Sequence, residues 1–190
     1  MSRLFIFDFF GVLSGEIANR FFFNHYNSDV ALKIKDEYFK PADVGLITFT
    51  ETLKKISLDI GIKYEEVLDE FKSYGVINEE LFKYILKLKE NKNNCIAMLS
   101  NAPKDLHKLL YSQINLSEYF EKIYISGQQG ISKPDLKFYE LCVKSFNKKF
   151  DEIYMIDDSN KNLKNLDEIS IKGILYTNNE ELFKILNKYL

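Results

Sequence analysis

The sequence has no tryptophan, and it contains only two cysteines, two histidines and three prolines among 190 residues. Cys95 and Cys142 stand in apolar surroundings without the Cys or His spacings of a zinc site, so we expect two buried free thiols. His25 and His107 each stand alone in helix-like stretches, where a surface or half-buried histidine is more common than a catalytic one. These absences argue against a scaffold held together by zinc or disulfides.

The chain also lacks an excess of one charge, with 26 basic and 28 acidic residues and a net charge of -2. Because the lysines are scattered, we expect no binding to nucleic acid or to an anionic membrane. The apolar run after Met1 is too short to span a membrane and has no signal cleavage site, which predicts a cytoplasmic protein. Chain length and a hydrophobic content of 46% predict one folded domain with room for a modest insertion.

Five short apolar runs recur along the chain, and continuous runs of this length are typical of strands buried on both faces. They cover residues 4–7, 95–99, 123–125, 153–156 and 171–176. Amphipathic stretches separate or follow the later runs and predict helices at residues 104–111, 136–146, 163–169 and 180–190. The alternation of strand and helix predicts a parallel sheet with helices on both faces.

One long segment interrupts this alternation, because residues 15–89 contain helical periodicity and no strand-like run. Within it, Thr50 and Gly61 are predicted to begin and end one helix, and Asn78 is predicted to begin the next. The sequence therefore predicts an α/β core of residues 1–14 and 90–190 with a helical insertion between its first two strands. Ligands bind beyond the carboxyl ends of such strands, so the insertion should overhang the site as a cap.

Four polar clusters each follow a predicted strand of the core. They are Asp8, Ser100 with Asn101, Lys133, and Asp157 with Asp158. Each cluster alone has an ordinary reading as a strand end, a helix cap, a solvated loop or an Asx turn. Parallel strands, however, bring all four to the same edge of a sheet, and this shared placement predicts a functional site.

The charges of these clusters indicate the chemistry of that site. Asp8, Asp157 and Asp158 would repel one another unless a hard cation lay between them, and Mg²⁺ prefers oxygen ligands of this kind. A phosphate that joined the metal would find Lys133, and it would also find the Ser100 hydroxyl and backbone N–H groups near Asn101. Asp8 is then left to act as a nucleophile that forms an aspartyl phosphate.

Four stretches of the chain resemble the four motifs of the haloacid dehalogenase-like (HAD) hydrolase superfamily. They are FDFFGVL, IAMLSNA, SKPDLKFYE and YMIDDSNKN. The resemblance extends over nearly the whole chain, and the helical insertion is similar to the small C1-type cap of the family. It implies an α/β fold with a Rossmann-like, three-layer parallel sheet and an all-helical cap after the first strand.

The resemblance also implies a role for each motif residue. Asp8 would be the nucleophile and a Mg²⁺ ligand, Asp158 a direct ligand, and Asp157 a ligand or the holder of a metal-bound water. The backbone carbonyl of Phe10 would be a further metal ligand, since any residue can supply a carbonyl. The phosphate clamp would consist of Ser100, Asn101 and Lys133, and Lys133 would also restrain Asp8.

Phe10 departs from the first motif, in which most phosphatases of the family carry a second Asp that acts as acid and base. Such catalysis contributes roughly 10²- to 10⁴-fold in rate, so an ordinary alkyl phosphate should react slowly. Three explanations stay open at this stage. The leaving group could have a low pKa, another group such as Glu16 or His25 could replace the acid, or the reaction could differ.

The favoured function is therefore a Mg²⁺-dependent phosphatase acting on a small phosphorylated metabolite. A 2-haloacid dehalogenase is one alternative, because those enzymes resemble this chain in carrying an aromatic residue at the same place. They lack an acidic pair like Asp157–Asp158 and use a cap arginine, whereas this chain has only Arg3 and Arg20. A second alternative is a catalytically weak descendant that binds a phosphorylated ligand or a partner.

Overall fold

The structure, a computed structural model, describes residues 1–190 and contains one five-stranded parallel sheet of order β3-β2-β1-β4-β5. The strands are β1 (Arg3–Phe7), β2 (Asn94–Ser100), β3 (Lys122–Ile125), β4 (Glu152–Asp157) and β5 (Lys172–Leu175). They coincide with the five apolar runs of the sequence. Phe7, the last residue of β1, pairs with Met98 of β2 and Ile156 of β4, so β1 and β4 end within one residue of each other and β2 continues to Ser100.

The sheet is buried on both faces, as the unbroken apolar character of its central strands predicts. In β1, Leu4 and Ile6 belong to one apolar cluster, while Phe5 and Phe7 belong to the other. This division matches the two-residue side-chain period of a strand. Helices cover both faces, and the predicted three-layer α/β fold is confirmed.

The helices of the core follow the strands in the predicted order. They are α6 (Leu106–Leu110), α7 (Ser126–Gln129), α8 (Leu136–Lys144), α9 (Asn160–Leu163) and α10 (Asn179–Leu186). The prediction of one helix over residues 163–169 was wrong, because Asn165 adopts a left-handed backbone with φ 63° between α9 and a 3₁₀ turn at Leu166–Ile169. α6 is shorter than predicted, and α10 continues into a 3₁₀ turn at Asn187–Tyr189.

Four helices between β1 and β2 pack against one another through aromatic side chains. They are α1 (Ile17–His25), α2 (Ser28–Asp43), α3 (Phe49–Ile60) and α4 (Tyr64–Tyr74). Phe21 of α1 stacks on Phe71 of α4 with ring centroids 4.5 Å apart, and Phe39 of α2 packs on Phe49 of α3 at 6.3 Å. None of the helices is both long and apolar enough to cross a membrane.

Only the carboxyl end of α3 lies where the sequence predicts it. Gly61 ends the helix in the left-handed conformation with φ 69°, as predicted. The N-cap is Thr48 and not Thr50, because Thr48 forms a capping box in which its hydroxyl accepts from the Glu51 N–H at 3.1 Å. The Thr50 hydroxyl instead donates to Asp105 at 3.1 Å, which joins α3 to the core.

A fifth helix, α5 (Glu79–Glu90), packs on the sheet, chiefly against β2. Tyr84 stacks on Phe183 of α10 at 4.0 Å, and the Asn94 amide donates to the Leu88 carbonyl at 3.0 Å. The packing therefore ends the insertion near residue 77, whereas the sequence placed its boundary at residue 89. Helical periodicity alone gave no sign of the change, because α5 has the same amphipathic pattern whichever layer it covers.

Asn78 joins the end of the insertion to the core. Its side-chain oxygen accepts from the Leu81 N–H at 3.2 Å, which caps α5 as predicted. Its side-chain nitrogen lies 3.0 Å from the Val12 carbonyl oxygen and 2.9 Å from the Tyr176 hydroxyl. This one side chain therefore links the chain segment that leaves β1 to the segment that returns to β2.

Substitution of Asn78 by alanine should therefore lower the free energy of unfolding by about 2–3 kcal/mol, since a cap and several part-buried hydrogen bonds are lost together. Urea denaturation measures this loss. Asn178→Ala, which removes only the exposed cap of α10, is the matched control and should cost about 1 kcal/mol. Equal losses in the two variants would contradict the linking role of Asn78.

Candidate active site

The carboxyl ends of the central strands bring the predicted site residues together. Asp8 follows β1, Ser100 ends β2, and Asp157 ends β4, on either side of the central strand. One carboxylate oxygen from each of Asp8, Asp157 and Asp158 lies within 4.8 Å of the others. This cluster is the juxtaposition that the four polar clusters of the sequence predicted.

Lys133 lies at the centre of the cluster, where its ammonium group bridges two carboxylates. Its Nζ atom lies 2.8 Å from Asp8 Oδ1 and 2.6 Å from Asp157 Oδ2, and the lysine side chain has no exposed surface. Burial acts to lower the pKa of Lys133, but the charges and hydrogen bonds of Asp8 and Asp157 outweigh it and raise the pKa. Lys133 is therefore a fixed cation.

A single lysine does not balance three carboxylates. Burial raises the pKa of Asp8 well above its ordinary value, and the neighbouring charges of Asp157 and Asp158 add to the shift against the opposing effect of Lys133. Burial followed by the charge of Asp157 likewise raises the pKa of Asp158. A divalent cation beside these oxygens would relieve the repulsion, so the donor set fits Mg²⁺.

Two oxygen atoms of the first motif have no hydrogen-bond partner within the protein. Asp8 Oδ1 accepts from the Phe9 N–H at 2.6 Å and from Lys133, which leaves Asp8 Oδ2 free. The carbonyl oxygen of Phe10 accepts no hydrogen bond, since the neighbouring turn uses the Phe9 carbonyl and the Gly11 N–H. A carboxylate oxygen and a carbonyl oxygen are thus available to a ligand at the edge of the sheet.

The two acidic residues after β4 differ in what they contact. Asp157 is fully buried, and its oxygens accept from Lys133, from the Ser159 N–H at 2.9 Å and from the Asn162 amide at 3.0 Å. Asp158 instead faces an open cleft. A Cβ atom on Gly11 would lie 2.1 Å from Asp158 Oδ2, so a glycine, here with φ +80°, is needed for this approach.

Ser100 and Asn101 take different positions. Asn101 lines the cleft, and its side chain exchanges hydrogen bonds with the backbone of Lys133 at 2.8 and 2.9 Å, which fixes the loop that carries the lysine. The Ser100 hydroxyl is buried and has no partner within the protein. Ser100 does not itself line the cleft, although an unpaired buried hydroxyl at this strand end is a group that a ligand could satisfy.

The cleft has a volume of about 800 Å³ and lies between the sheet edge and helices α1 and α2. The side facing α1 and α2 carries both polar and apolar side chains. Its charged and polar residues are Glu16, Asn19, Lys35, Asp36, Lys40 and Asp43. Burial raises the pKa of Glu16 and of Asp43 to about 7. The sequence suggested Glu16 as a candidate but missed Asp43, which belongs to no motif and reaches the cleft only through the fold of α2.

The two histidines lie outside the reacting groups. His25 Nε2 lies 2.8 Å from Glu70 Oε2 and does not line the cleft, which removes it as a replacement for the missing acid. His107 is buried beside Phe9, with ring centroids 4.6 Å apart, and neither of its nitrogens has a hydrogen-bond partner. The expectation of a surface or half-buried residue was thus wrong for His107 and correct for His25.

Residues 3–164 match the family model of the haloacid dehalogenase-like hydrolases, so the chain belongs to this family. A sesquiterpene phosphatase of Aspergillus oryzae is 27% identical over 153 residues, which cover 78% of this chain and 77% of the phosphatase. A drimenol cyclase of Aspergillus calidoustus is 27% identical over 104 residues, or 53% of this chain. The match covers only 20% of the length of the cyclase.

Solved structures agree with this assignment of the fold. A HAD family enzyme of Bacteroides thetaiotaomicron, in complex with magnesium and inorganic phosphate, superimposes with a TM-score of 0.77 and 23% identity, covering 96% of this chain and all of that chain. The L-2-haloacid dehalogenase of Xanthobacter autotrophicus superimposes with a TM-score of 0.63 and 15% identity, covering 99% of this chain and 83% of the dehalogenase. The predicted family and hydrolase class are confirmed.

Replacement of Lys133 by methionine should lower the free energy of unfolding by about 3–5 kcal/mol in the absence of Mg²⁺, because it leaves buried carboxylates unpaired. Added Mg²⁺ should recover part of the loss by binding the same carboxylates. Urea denaturation with and without Mg²⁺ measures both effects. Lys137→Met, at an exposed position four residues away, is the control, and a similar loss there would contradict the prediction.

His107 should lower the free energy of unfolding at acid pH. Burial lowers the pKa of His107 from 6.5 to about 4, so the unfolded chain binds a proton that the folded chain excludes. The associated stability is present above pH 6.5 and declines as the pH falls toward 4, by about 2 kcal/mol between pH 7 and pH 5. His107→Leu should lack this part of the decline in urea denaturation, and an unchanged pH profile would contradict it.

Proposed function

We propose that this hydrolase is a Mg²⁺-dependent phosphatase that acts on a small phosphorylated metabolite through an aspartyl phosphate on Asp8. The observation that carries the proposal is the free Oδ2 atom of Asp8 beside a buried lysine and two further carboxylates. A carboxylate held in this way can attack phosphorus, and the surrounding donors can hold the phosphate.

The metal set would comprise the Asp8 and Asp158 carboxylates and the Phe10 carbonyl, and Mg²⁺ bound there would neutralise phosphate charge and align the ester with Asp8. Asp157 is better suited to hold the site together, since Lys133, Ser159 and Asn162 already occupy its oxygens. A role for Asp157 as the holder of a metal-bound water, one of the two implied by the family resemblance, fits this environment better than direct ligation.

The remaining site residues would bind and orient the substrate. Lys133 restrains Asp8 Oδ1 so that Oδ2 faces the phosphorus, and its positive charge offsets charge that develops on the phosphoryl oxygens. The Ser100 hydroxyl, which has no partner within the protein, and the Asn101 N–H would complete the phosphate clamp. Asn101 also fixes Lys133 through its side chain. The four helices of residues 15–77 would form the cap over this site.

The lining of the cleft indicates the character of the substrate. Only 8 of the 24 residues that line it are hydrophobic, and the wall from α1 and α2 carries both carboxylates and ammonium groups. Ile17, Leu32 and Phe39 of the same wall add apolar surface, so the cleft suits a small phosphomonoester with both polar and apolar parts. The related Aspergillus phosphatase and the magnesium and phosphate in the Bacteroides structure support phosphatase chemistry, and a cytoplasmic location stays a prediction.

The aromatic residue at Phe10 and the fold shared with the dehalogenase favour haloacid hydrolysis as a second candidate. That candidate is weaker, because neither Arg3 nor Arg20 lines the cleft to hold a carboxylate. The three clustered carboxylates would also be unnecessary for halide displacement. A non-hydrolytic phosphate binder is the remaining alternative.

Asp8→Asn should lower Mg²⁺-dependent phosphate release by at least about 10³-fold, since the nucleophile is lost. The assay is a panel of phosphomonoesters with Mg²⁺ or with a chelator, and acid quenching should trap phosphate on wild-type Asp8. Asp69→Asn, at an exposed position in α4, is the control.

Other outcomes separate the alternatives. Release of halide from 2-chloroacids, if it is lost in Asp8→Asn, would identify the protein as a dehalogenase and contradict the phosphatase assignment. Phosphate binding without turnover of any phosphomonoester would favour a binding protein. Turnover that persists in the chelator would contradict the role of the metal.

A further inference from the structure

The side chain of Phe10 cannot supply the proton that an alkyl leaving group needs. Its ring packs against Phe9, His107 and Tyr111, with centroids 5.1, 5.8 and 6.3 Å away. If the chain is a phosphatase as proposed, some other group that faces the cleft must protonate the leaving oxygen and later activate water.

Most titratable groups of the cleft are already engaged. Asp8, Asp158 and Lys133 belong to the cluster that holds metal and phosphate. On α2, Lys35 and Lys40 pair with Asp36 at 3.0 and 3.1 Å. The groups left over are Glu16, Asp43 and Lys161, and Lys161 is exposed.

Glu16 faces the reacting groups more directly than Asp43 does. The charge that acts most strongly on Glu16 is that of Asp158, followed by Lys35 of α2 and then by Lys133 and Asp157 of the site. Those that act on Asp43 are Lys35 and Asp36 of its own helix, together with Lys133, and they include no carboxylate of the metal cluster. Glu16 and Phe10 both line the cleft, and Glu16 lies in the segment that leaves the first motif.

The local backbone holds Glu16 in place without using its carboxyl group. Glu16 is the residue before α1, yet its side chain makes no capping hydrogen bond. The preceding segment is fixed, since the Gly15 N–H donates to the Val76 carbonyl at 2.9 Å and the Ser14 and Tyr111 hydroxyls lie 2.5 Å apart. The carboxyl group is therefore held at the cleft and left free for a substrate.

We propose that Glu16 is the acid and base of the reaction and takes the role that Phe10 cannot perform. In the first step, Asp8 Oδ2 bonds to phosphorus, the bond from phosphorus to the leaving oxygen breaks, and that oxygen receives the Glu16 proton. In the second step, the Glu16 carboxylate takes a proton from water, the water oxygen bonds to phosphorus, and the bond to Asp8 breaks. The sum is phosphomonoester and water giving alcohol and phosphate.

Burial is the main reason that a glutamate here could perform both steps. It raises the pKa of Glu16 to about 7, and the charge of Asp158 adds to the shift. A group with a pKa near the working pH can both donate and accept a proton, which is the condition for acid and base catalysis by one residue.

The test compares leaving groups in the presence of Mg²⁺. Glu16→Gln should lower kcat/KM for glycerol phosphate by about 10²- to 10⁴-fold, because its alkoxide needs a proton, and for p-nitrophenyl phosphate by less than about 10-fold. A burst of nitrophenolate should appear with the aryl ester, since the aspartyl phosphate loses its base and accumulates. Glu16→Asp should recover part of the alkyl activity, and the exposed Glu66→Gln is the control.

A second variant tests the replacement directly. Phe10→Asp in the Glu16→Gln background should restore hydrolysis of glycerol phosphate, since it puts a carboxyl group back into the first motif. Binding of inorganic phosphate with Mg²⁺ by calorimetry verifies that Glu16→Gln is folded and has an intact clamp.

Three outcomes would overturn the assignment. Equal losses on both esters would make Glu16 a structural residue, unchanged alkyl activity would exclude it, and a selective alkyl loss in Asp43→Asn alone would transfer the role to Asp43. Absence of Mg²⁺-dependent hydrolysis of every phosphate by the wild type would instead overturn the proposed function, and the role of Glu16 with it.

Discussion

The site depends on one buried ammonium group, that of Lys133, which holds together the ends of strands far apart in sequence. A cation with no exposed surface is tolerated only where carboxylates compensate its charge, and here Asp8 and Asp157 do so from either side. The pairing in turn requires β1 and β4 to be neighbours with level carboxyl ends. Asn101, which directly follows β2, connects a third strand to this arrangement because its side chain is hydrogen-bonded to the backbone of Lys133.

The remaining negative charge of this arrangement turns a structural ion pair into a candidate catalytic site. With one lysine against three carboxylates, burial and repulsion raise the pKa of Asp8 and of Asp158. The protein leaves Asp8 Oδ2 and the Phe10 carbonyl without partners where a cation could relieve this repulsion. The unpaired oxygens and the excess negative charge therefore both favour a cation at the same place.

The sequence predicted the sheet and the motif cluster because both follow from local patterns. The apolar runs of the central strands are buried on both faces, and a polar residue directly after each run must lie at the edge. The layer assignment of α5, the environment of His107 and the presence of Asp43 in the cleft could not be predicted in this way. Each depends on which elements pack together, and an amphipathic helix has the same pattern against either neighbour.

The substitution at Phe10 has consequences beyond the lost carboxyl group. An aspartate at this position would carry the acid on the core, whereas Glu16 lies in the segment that leads into the four-helix insertion. That segment is hydrogen-bonded to the returning one through Gly15 and Val76, and Asn78 ties both to the core. Under the proposed assignment, acid and base catalysis therefore depends on how the insertion is positioned on the core. Under the same assignment, phosphate capture would depend only on the core, because Asp8, Lys133 and Asn101 all belong to the sheet edge.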